Sequence, residues 1–263
     1  MELVYFFVCF AACTIGAICG VGGGVVIKPV LDLISDAGAS AISFLSGCTV
    51  LAMCLYSVIK GAVSKENSVT TRESTPLAVG AAAGGIIGKE LFSALVSAAA
   101  DKGRVSGIQA LVLLIVTVGT LIYTIRSEKI KTLEVKNIAA RACIGLALGL
   151  LSSFLGIGGG PINLVVLYYF FSMDVKTAAS NSLYIILFSQ AASLITTVVT
   201  GKIPVFSWSM LILMILGGLF GGIAGRAVCR KIDSSTVKKL FIALMALIIV
   251  ICIYNSRSIL FSV

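Results

Sequence analysis

Apolar residues along this chain come in long runs separated by short, charged connections. Eight runs can be read, roughly 3–34, 39–59, 76–100, 106–125, 142–172, 178–200, 205–229 and 237–254. About 20 residues of helix cross some 30 Å of hydrocarbon, and six of the runs have that length. The first and fifth are too long for one crossing. Both carry a cluster of glycines well inside the run, which predicts a helix that breaks and turns back.

The two clusters are Gly20-Val21-Gly22-Gly23-Gly24 and Gly156-Ile157-Gly158-Gly159-Gly160, 136 residues apart. Further on, Gly84-Gly85-Ile86-Ile87-Gly88-Lys89 is answered 137 residues later by Gly221-Gly222-Ile223-Ala224-Gly225-Arg226. Gly61, closing the second run, is answered by Gly201, closing the sixth. Three matches in order at similar spacings indicate an internal repeat. The expected organisation is repeat 1 over 1–126, with a broken hairpin (3–34) and helices 39–59, 76–100 and 106–125. A charged linker, 127–135, follows. Repeat 2 spans 136–263, with a broken hairpin (142–172) and helices 178–200, 205–229 and 237–254.

Composition supports a membrane protein. Hydrophobic residues make up 59% of the 263 positions and charged residues 12%, against about a quarter in soluble domains. The net charge of +9 does not point to nucleic acid, because the cations sit in the connections, where they hold loops on the cytoplasmic side. Were every run a simple crossing, the cations would divide almost evenly. If runs one and five each leave on the side they entered, one side collects Lys60, Lys65, Arg72, Arg126, Lys129, Lys131, Lys136, Arg141, Lys176, Arg226, Arg230, Lys231, Lys238 and Lys239. The other side keeps Lys89, Lys102, Arg104, Lys202 and Arg257. That asymmetry predicts inverted repeats in the plasma membrane with both termini outside. The opening MELVYFF has no basic segment before its apolar run, so it reads as a first membrane segment and not as a removable signal.

Consecutive glycines cost a helix about 1 kcal/mol each relative to Ala. They open backbone angles closed to other residues and bare the main-chain N–H groups. Non-helical backbone at membrane depth survives only inside protein or beside a wet cavity. A half-helix starting after such a break aims its amides and positive dipole end at that cavity, and two inverted copies would bring two ends together near the midplane. The chemistry suits an anion. Close helix packing through small residues is the alternative, and it accounts better for Gly84, Gly85, Gly88, Gly221, Gly222 and Gly225. Substrate-binding candidates at the breaks are Gly20, Gly22, Gly23, Gly24, Gly156, Gly158, Gly159 and Gly160. The side-chain candidates are Ser46, Thr49, Asn163, Ser180, Asn181, Ser182 and Gln190. Amides are costly in lipid, so Asn181 and Gln190 face either a wet site or a neighbouring helix.

Lys28 reads as an anchor reaching the headgroups, or else as a counter-charge for an anion; its repeat counterpart is Leu164. Glu90 is expected to pair with Lys89, and only Asp32 and Glu90 among the carboxylates reach the apolar zone. Histidine is absent and the eight cysteines form no CxxC pair, so no metal site, cofactor or enzyme chemistry is expected. The cysteines read as small buried hydrophobes. A homodimer through the glycine-rich third and seventh runs is compatible with the sequence.

The paired breaks, Gly20–Gly24 with Pro29 and Gly156–Gly160 with Pro161, resemble those of the sulfite exporter TauE/SafE family of membrane permeases. So do the Ala179-Ser180-Asn181-Ser182 stretch and the duplicated layout. The departure is Val165, where Pro29 would map. The resemblance implies a secondary transporter, usually an exporter, of sulfite or an organosulfonate. Its site would lie at the glycine breaks and the polar face of the sixth run. The full expectation is an all-α integral membrane protein of two inverted repeats whose partners are a small anionic substrate and the lipid bilayer. A non-transporting membrane scaffold or assembly protein is the alternative.

Overall fold

The computed structural model describes residues 2–35, 38–63, 69–98, 102–127, 130–157 and 159–260. Among them are ten helices and no strand: α1 (Glu2–Cys19), α2 (Gly24–Ile34), α3 (Ala39–Val63), α4 (Thr71–Ala98), α5 (Lys102–Arg126), α6 (Ile138–Leu155), α7 (Pro161–Phe171), α8 (Val175–Val199), α9 (Trp208–Cys229) and α10 (Ser234–Leu260). The eight apolar runs are all helical, and the first and fifth divide at their glycines. The arms are unequal. α1 and α6 have 18 residues each, about 27 Å of helix, whereas α2 and α7 have 11, about 16 Å. Seven of the described helices are long and apolar enough to cross a membrane, where six were expected. The seventh is α6, because it begins at Ile138, ahead of the apolar run at 142, and so reaches 18 residues before the break.

Glycine contacts reveal the helix directions. Gly80, Gly84 and Gly88 of α4 lie against Ala142, Leu146 and Leu150 of α6, so these helices run the same way. Gly217, Gly221 and Gly225 of α9 lie against Phe6, Phe10 and Thr14 of α1, again in parallel. Gly218 meets Thr49 and Gly222 meets Met53, which makes α3 parallel to α9. On α8, Asn181 bonds Ser74 and Ser189 meets Gly85, which makes it parallel to α4. Gly47 faces Leu194 whereas Ser57, ten residues on, shares a cavity with Leu183, so α3 and α8 are antiparallel. Thus α1, α3 and α9 run one way and α4, α6 and α8 the other.

Because α1 and α3 start on one face, the chain through α1 and α2 leaves by the face it entered. The same holds for α6 and α7 before α8. The face where α3 and α9 end and α4 and α8 begin carries Lys60, Arg72, Lys176, Arg230 and Lys231, and is called the basic face below. Neighbours recur between the halves: α1 packs on α9 as α6 packs on α4, and α3 on α9 as α8 on α4. α2 lies against α3 and α10 as α7 lies against α8 and α5. The glycine-rich helices α4 and α9 are thus occupied inside one chain, where bare Cα atoms let backbones approach closely. This corrects the surface expected for a dimer, since those glycines face α6, α8, α1 and α3.

Polarity runs opposite to that of a soluble protein. On α5, Leu111, Ile115 and Ile122 are exposed while Thr117, Thr120 and Thr124 are buried. Thr117 and Thr124 donate to the carbonyls one turn back, at 2.7 and 2.8 Å, which satisfies their hydroxyls without a partner helix.

Candidate functional site

Both glycine clusters are unwound. Gly20, Gly22, Gly156 and Gly159 have φ of 73°, 76°, 66° and 149°, which L side chains avoid. At the first break the chain passes Ala179, doubles back between Val50 and Ile186 at Gly22, and returns beside Cys13 at Gly23. Val50 and Ile186 lie near the middle of α3 and α8, so the half-helix α2 starts at mid-depth. Its first turn is closed by Val26 and Ile27 N–H, both 3.0 Å from the Gly23 carbonyl. α7 starts at the same level with Pro161, whose missing N–H is one that a helix start leaves unbonded. The half-helices run apart in opposite directions.

Among the described residues the two breaks interlock, with no open chamber between them. A side chain on Gly24 would fall on the Ile157 carbonyl and lie 3.1 Å from Ser46 Oγ. One on Gly159 would strike Ile186 and lie 3.3 Å from the Val21 carbonyl, and one on Gly160 would touch Ile157. Gly156 packs on Ser43. Gly158 lies outside the described residues.

The polar candidates divide into three groups. Ser46, Ser182 and the Asn163 carbonyl oxygen are buried around the breaks and have no hydrogen-bond partner among the described residues; Ser43, Ser152, Ser153 and Ser189 share that condition. Unmade bonds at buried hydroxyls are costly, so these groups need a partner beyond the described residues. Asn181, by contrast, fastens α8 to the start of α4. Its carbonyl accepts from Thr70 N–H at 3.0 Å and from the Ser74 hydroxyl, and its amide donates to Thr177 O at 2.7 Å. Thr49 bonds its own helix at Leu45 O, 2.9 Å, and faces α9, while Gln190 is buried near Gly47. Ser180 alone of the candidates lines open space.

That space is a cavity of about 420 Å³ among α1, α3, α8 and α9. It is lined by Lys176, Arg226 and Arg230 with Ser57, Ser180, Ala179 and Cys229, and no carboxylate is among the described residues of its wall. Arg226 is held across it by donating to Ser57 O at 2.7 Å. Ala179 in its wall is the residue on which Gly20 rests, so the cavity abuts the first break. Sequence reasoning assigned these cations to loop retention and anchoring. The missed signal was the four-residue spacing of Arg226 and Arg230, which places both on one face of α9.

Lys28 does not reach the headgroups. It is 3% exposed and pairs with Asp32, one turn on, at 3.2 Å, with its Cε 3.4 Å from where a Gly156 side chain would begin. Glu90 does not pair with Lys89 but with Lys202 at 2.7 Å. On the face opposite the basic one, the segment 200–207 carries that lysine and Phe206, whose ring lies 5.4 Å from Phe44.

A bundle of membrane-crossing helices, broken at mid-depth and carrying an ionic cavity beside the break, is the architecture of a multi-pass membrane transporter. The chain belongs to the sulfite exporter TauE/SafE family, whose model matches residues 5–251. It is 23% identical over 245 residues to the probable membrane transporter protein YunE of Bacillus subtilis, covering 85% of this chain and 87% of that one. It is also 30% identical over 112 residues to the probable membrane transporter protein MamO of Magnetospirillum gryphiswaldense, covering 41% of this chain but 18% of MamO. No solved structure matches it. Membership of a transporter family implies transport and not enzyme chemistry.

Proposed function

We propose that this protein is a secondary transporter that exports a small anion, such as sulfite or an organosulfonate, across the plasma membrane. One observation carries the reading: the cavity of about 420 Å³ that abuts the first glycine break is walled by three cations and, among the described residues that line it, no carboxylate. Single-signed walls concentrate counter-ions, and each unit-charge pair at 4 Å contributes about 4 kcal/mol of attraction at an effective dielectric near 20. The unpartnered hydroxyls around the breaks suit the oxygens of such an anion further in. The sulfur chemistry comes from the family name and from the relatives' description as transporters.

In this reading the halves 1–126 and 136–263 are inverted repeats joined by the linker 127–135. The opposed directions of α1 and α6, and the exchange of neighbours between halves, support it. The basic face is cytoplasmic, as the bias of Lys and Arg towards that side suggests, and both termini are outside. The cavity then faces the cytoplasm, and the interlocked breaks separate it from the outer side. Residues 20–24, 156–160, Ser46, Asn163 and Ser182 would meet the anion once it leaves the cavity and the breaks part.

Flux of labelled sulfite and sulfoacetate through the purified chain in proteoliposomes tests the function. Both or one should move, and Arg226→Gln with Arg230→Gln should lower flux at least tenfold at low substrate while rubidium stays excluded. Flux of neither anion, or of cations alone, would leave the scaffold alternative standing.

A further inference from the structure

We infer that Lys89 is the cation of a second anion site, on the face opposite the basic cavity, through which the substrate leaves. The inference rests on the transport reading above. Along α4, Lys89 follows Gly85 by one turn, and along α8, Ser193 follows Ser189 by one turn. Since the helices run parallel with Gly85 opposite Ser189, Lys89 stands level with Ser193. Two buried hydroxyls converge on Gly85: Ser189 Oγ and Ser153 Oγ lie 3.2 and 3.3 Å from where its side chain would begin. Neither has a hydrogen-bond partner among the described residues, and both are at least 97% buried. A lysine within a membrane span thus stands one helical turn along from a pair of orphaned hydroxyls.

The lysine itself has no carboxylate within ion-pair distance among the described residues. Its sequence neighbour Glu90 is taken by Lys202, and the Lys89 ammonium lies 5.4 Å over the Phe92 ring. A half-buried cation in contact with an aromatic face is held in place while its charge remains available to an anion.

The internal repeat supplies an independent argument. Lys89 and Arg226 are 137 residues apart, Ser57 and Ser193 are 136, and Ala17 and Ser153 are 136. In the open cavity, Arg226 reaches across to the Ser57 main chain with Ala17 beside it. Lys89, Ser193 and Ser153 are therefore the matching set on the other side. There, segment 200–207 is pinned at Lys202 to Glu90 and at Phe206 to Phe44, which seals the set. Lifting that segment exposes Lys89 to the outer solution. A small oxyanion such as a sulfonate would then be held by the ammonium and two or three hydroxyls.

The test measures half-saturation from each side separately, in proteoliposomes sorted by orientation, with labelled sulfoacetate and sulfite as probes. Lys89→Gln should raise half-saturation about tenfold for anion offered at the outer face and change it less than twofold at the basic face, with Lys89→Arg near wild type. Ser193→Val, which leaves every charge in place, should shift the outer value in the same direction. Equal shifts on both sides, or none on either, would overturn the inference while leaving anion transport intact. If wild type moves neither probe from either side, the transport reading fails first and the inference with it. A Lys89→Gln chain that does not fold leaves the decision to Ser193→Val, whose outer half-saturation either rises or refutes the site.

Discussion

At the first break Gly20 rests on Ala179, a wall residue of the open basic cavity, whereas at the second Gly156 rests on Ser43, buried beside the Lys28 stem. The local backbone is the same in kind, with left-handed glycines followed by an 11-residue half-helix. The surroundings differ because the two ends of the molecule are in different conditions. The basic end is open and cationic. The far end is bridged by the Phe44–Phe206 rings, the Glu90–Lys202 pair and, nearer the centre, the partly buried Lys28–Asp32 pair, where the second half has Leu164 at the position of Lys28. In the transport reading proposed above, one open end and one bridged end are what alternating access would need of a single resting conformation.

The strongest way to break the comparison is to add a methyl where the breaks interlock. Gly24→Ala places it on the Ile157 carbonyl, so transport should fall more than tenfold and thermal unfolding should come earlier. Were residues 20–24 an unbroken helix, the same change would stabilise by about 1 kcal/mol, and the sign separates the two cases. Gly119→Ala, inside unbroken α5 with nothing within 4 Å, is the matched control and should leave transport unchanged while stabilising the fold by about 1 kcal/mol.

Next comes the asymmetry itself. Lys28→Leu installs the residue type of the second half but strands Asp32, and should cost about 3 kcal/mol in unfolding measurements. Lys28→Leu with Asp32→Leu should recover most of that loss. An equal loss in both variants would mean that the lysine stem, not the charge pair, matters at this end.

Smaller effects are expected where α8 is positioned for both ends. Asn181→Leu removes the bonds to Thr70 and Ser74 and should cost about 1–3 kcal/mol, seen as a lower melting temperature with half-saturation unchanged. Asp174 caps α8 through the N–H groups of Lys176 and Thr177, so Asp174→Ala should cost about 1 kcal/mol. A change in substrate half-saturation for Asn181→Leu would instead put that residue at the anion.

The helices and the two breaks were legible because lipid demands long apolar runs and glycine clusters interrupt them. Element ends were less so. α4 begins at Thr71 and not near Pro76, since a polar first turn carrying Arg72 and Glu73 escapes a hydrophobicity reading. α10 begins at Ser234, capped by Asp233 through Ser235 and Thr236 N–H, which apolar content also misses. The cavity was not legible. Its cations come from α8 and α9 and meet α1 and α3 only because glycines let those helices close up, a fact of packing that no single run displays. Lys28 misled for a related reason: a lysine near the end of an apolar run looks like an anchor until the chain is seen to double back and bury it.

Cys229 offers the most direct measurement, because it is already in the cavity wall, partly exposed, beside Lys176 and Arg230. Its labelling by an anionic methanethiosulfonate, read by peptide mass spectrometry, reports whether anions occupy that space. Reagent applied at the basic face should modify Cys229, and saturating sulfoacetate should slow the reaction several-fold. Labelling that sulfoacetate leaves untouched, or that proceeds only from the opposite face, would contradict the account.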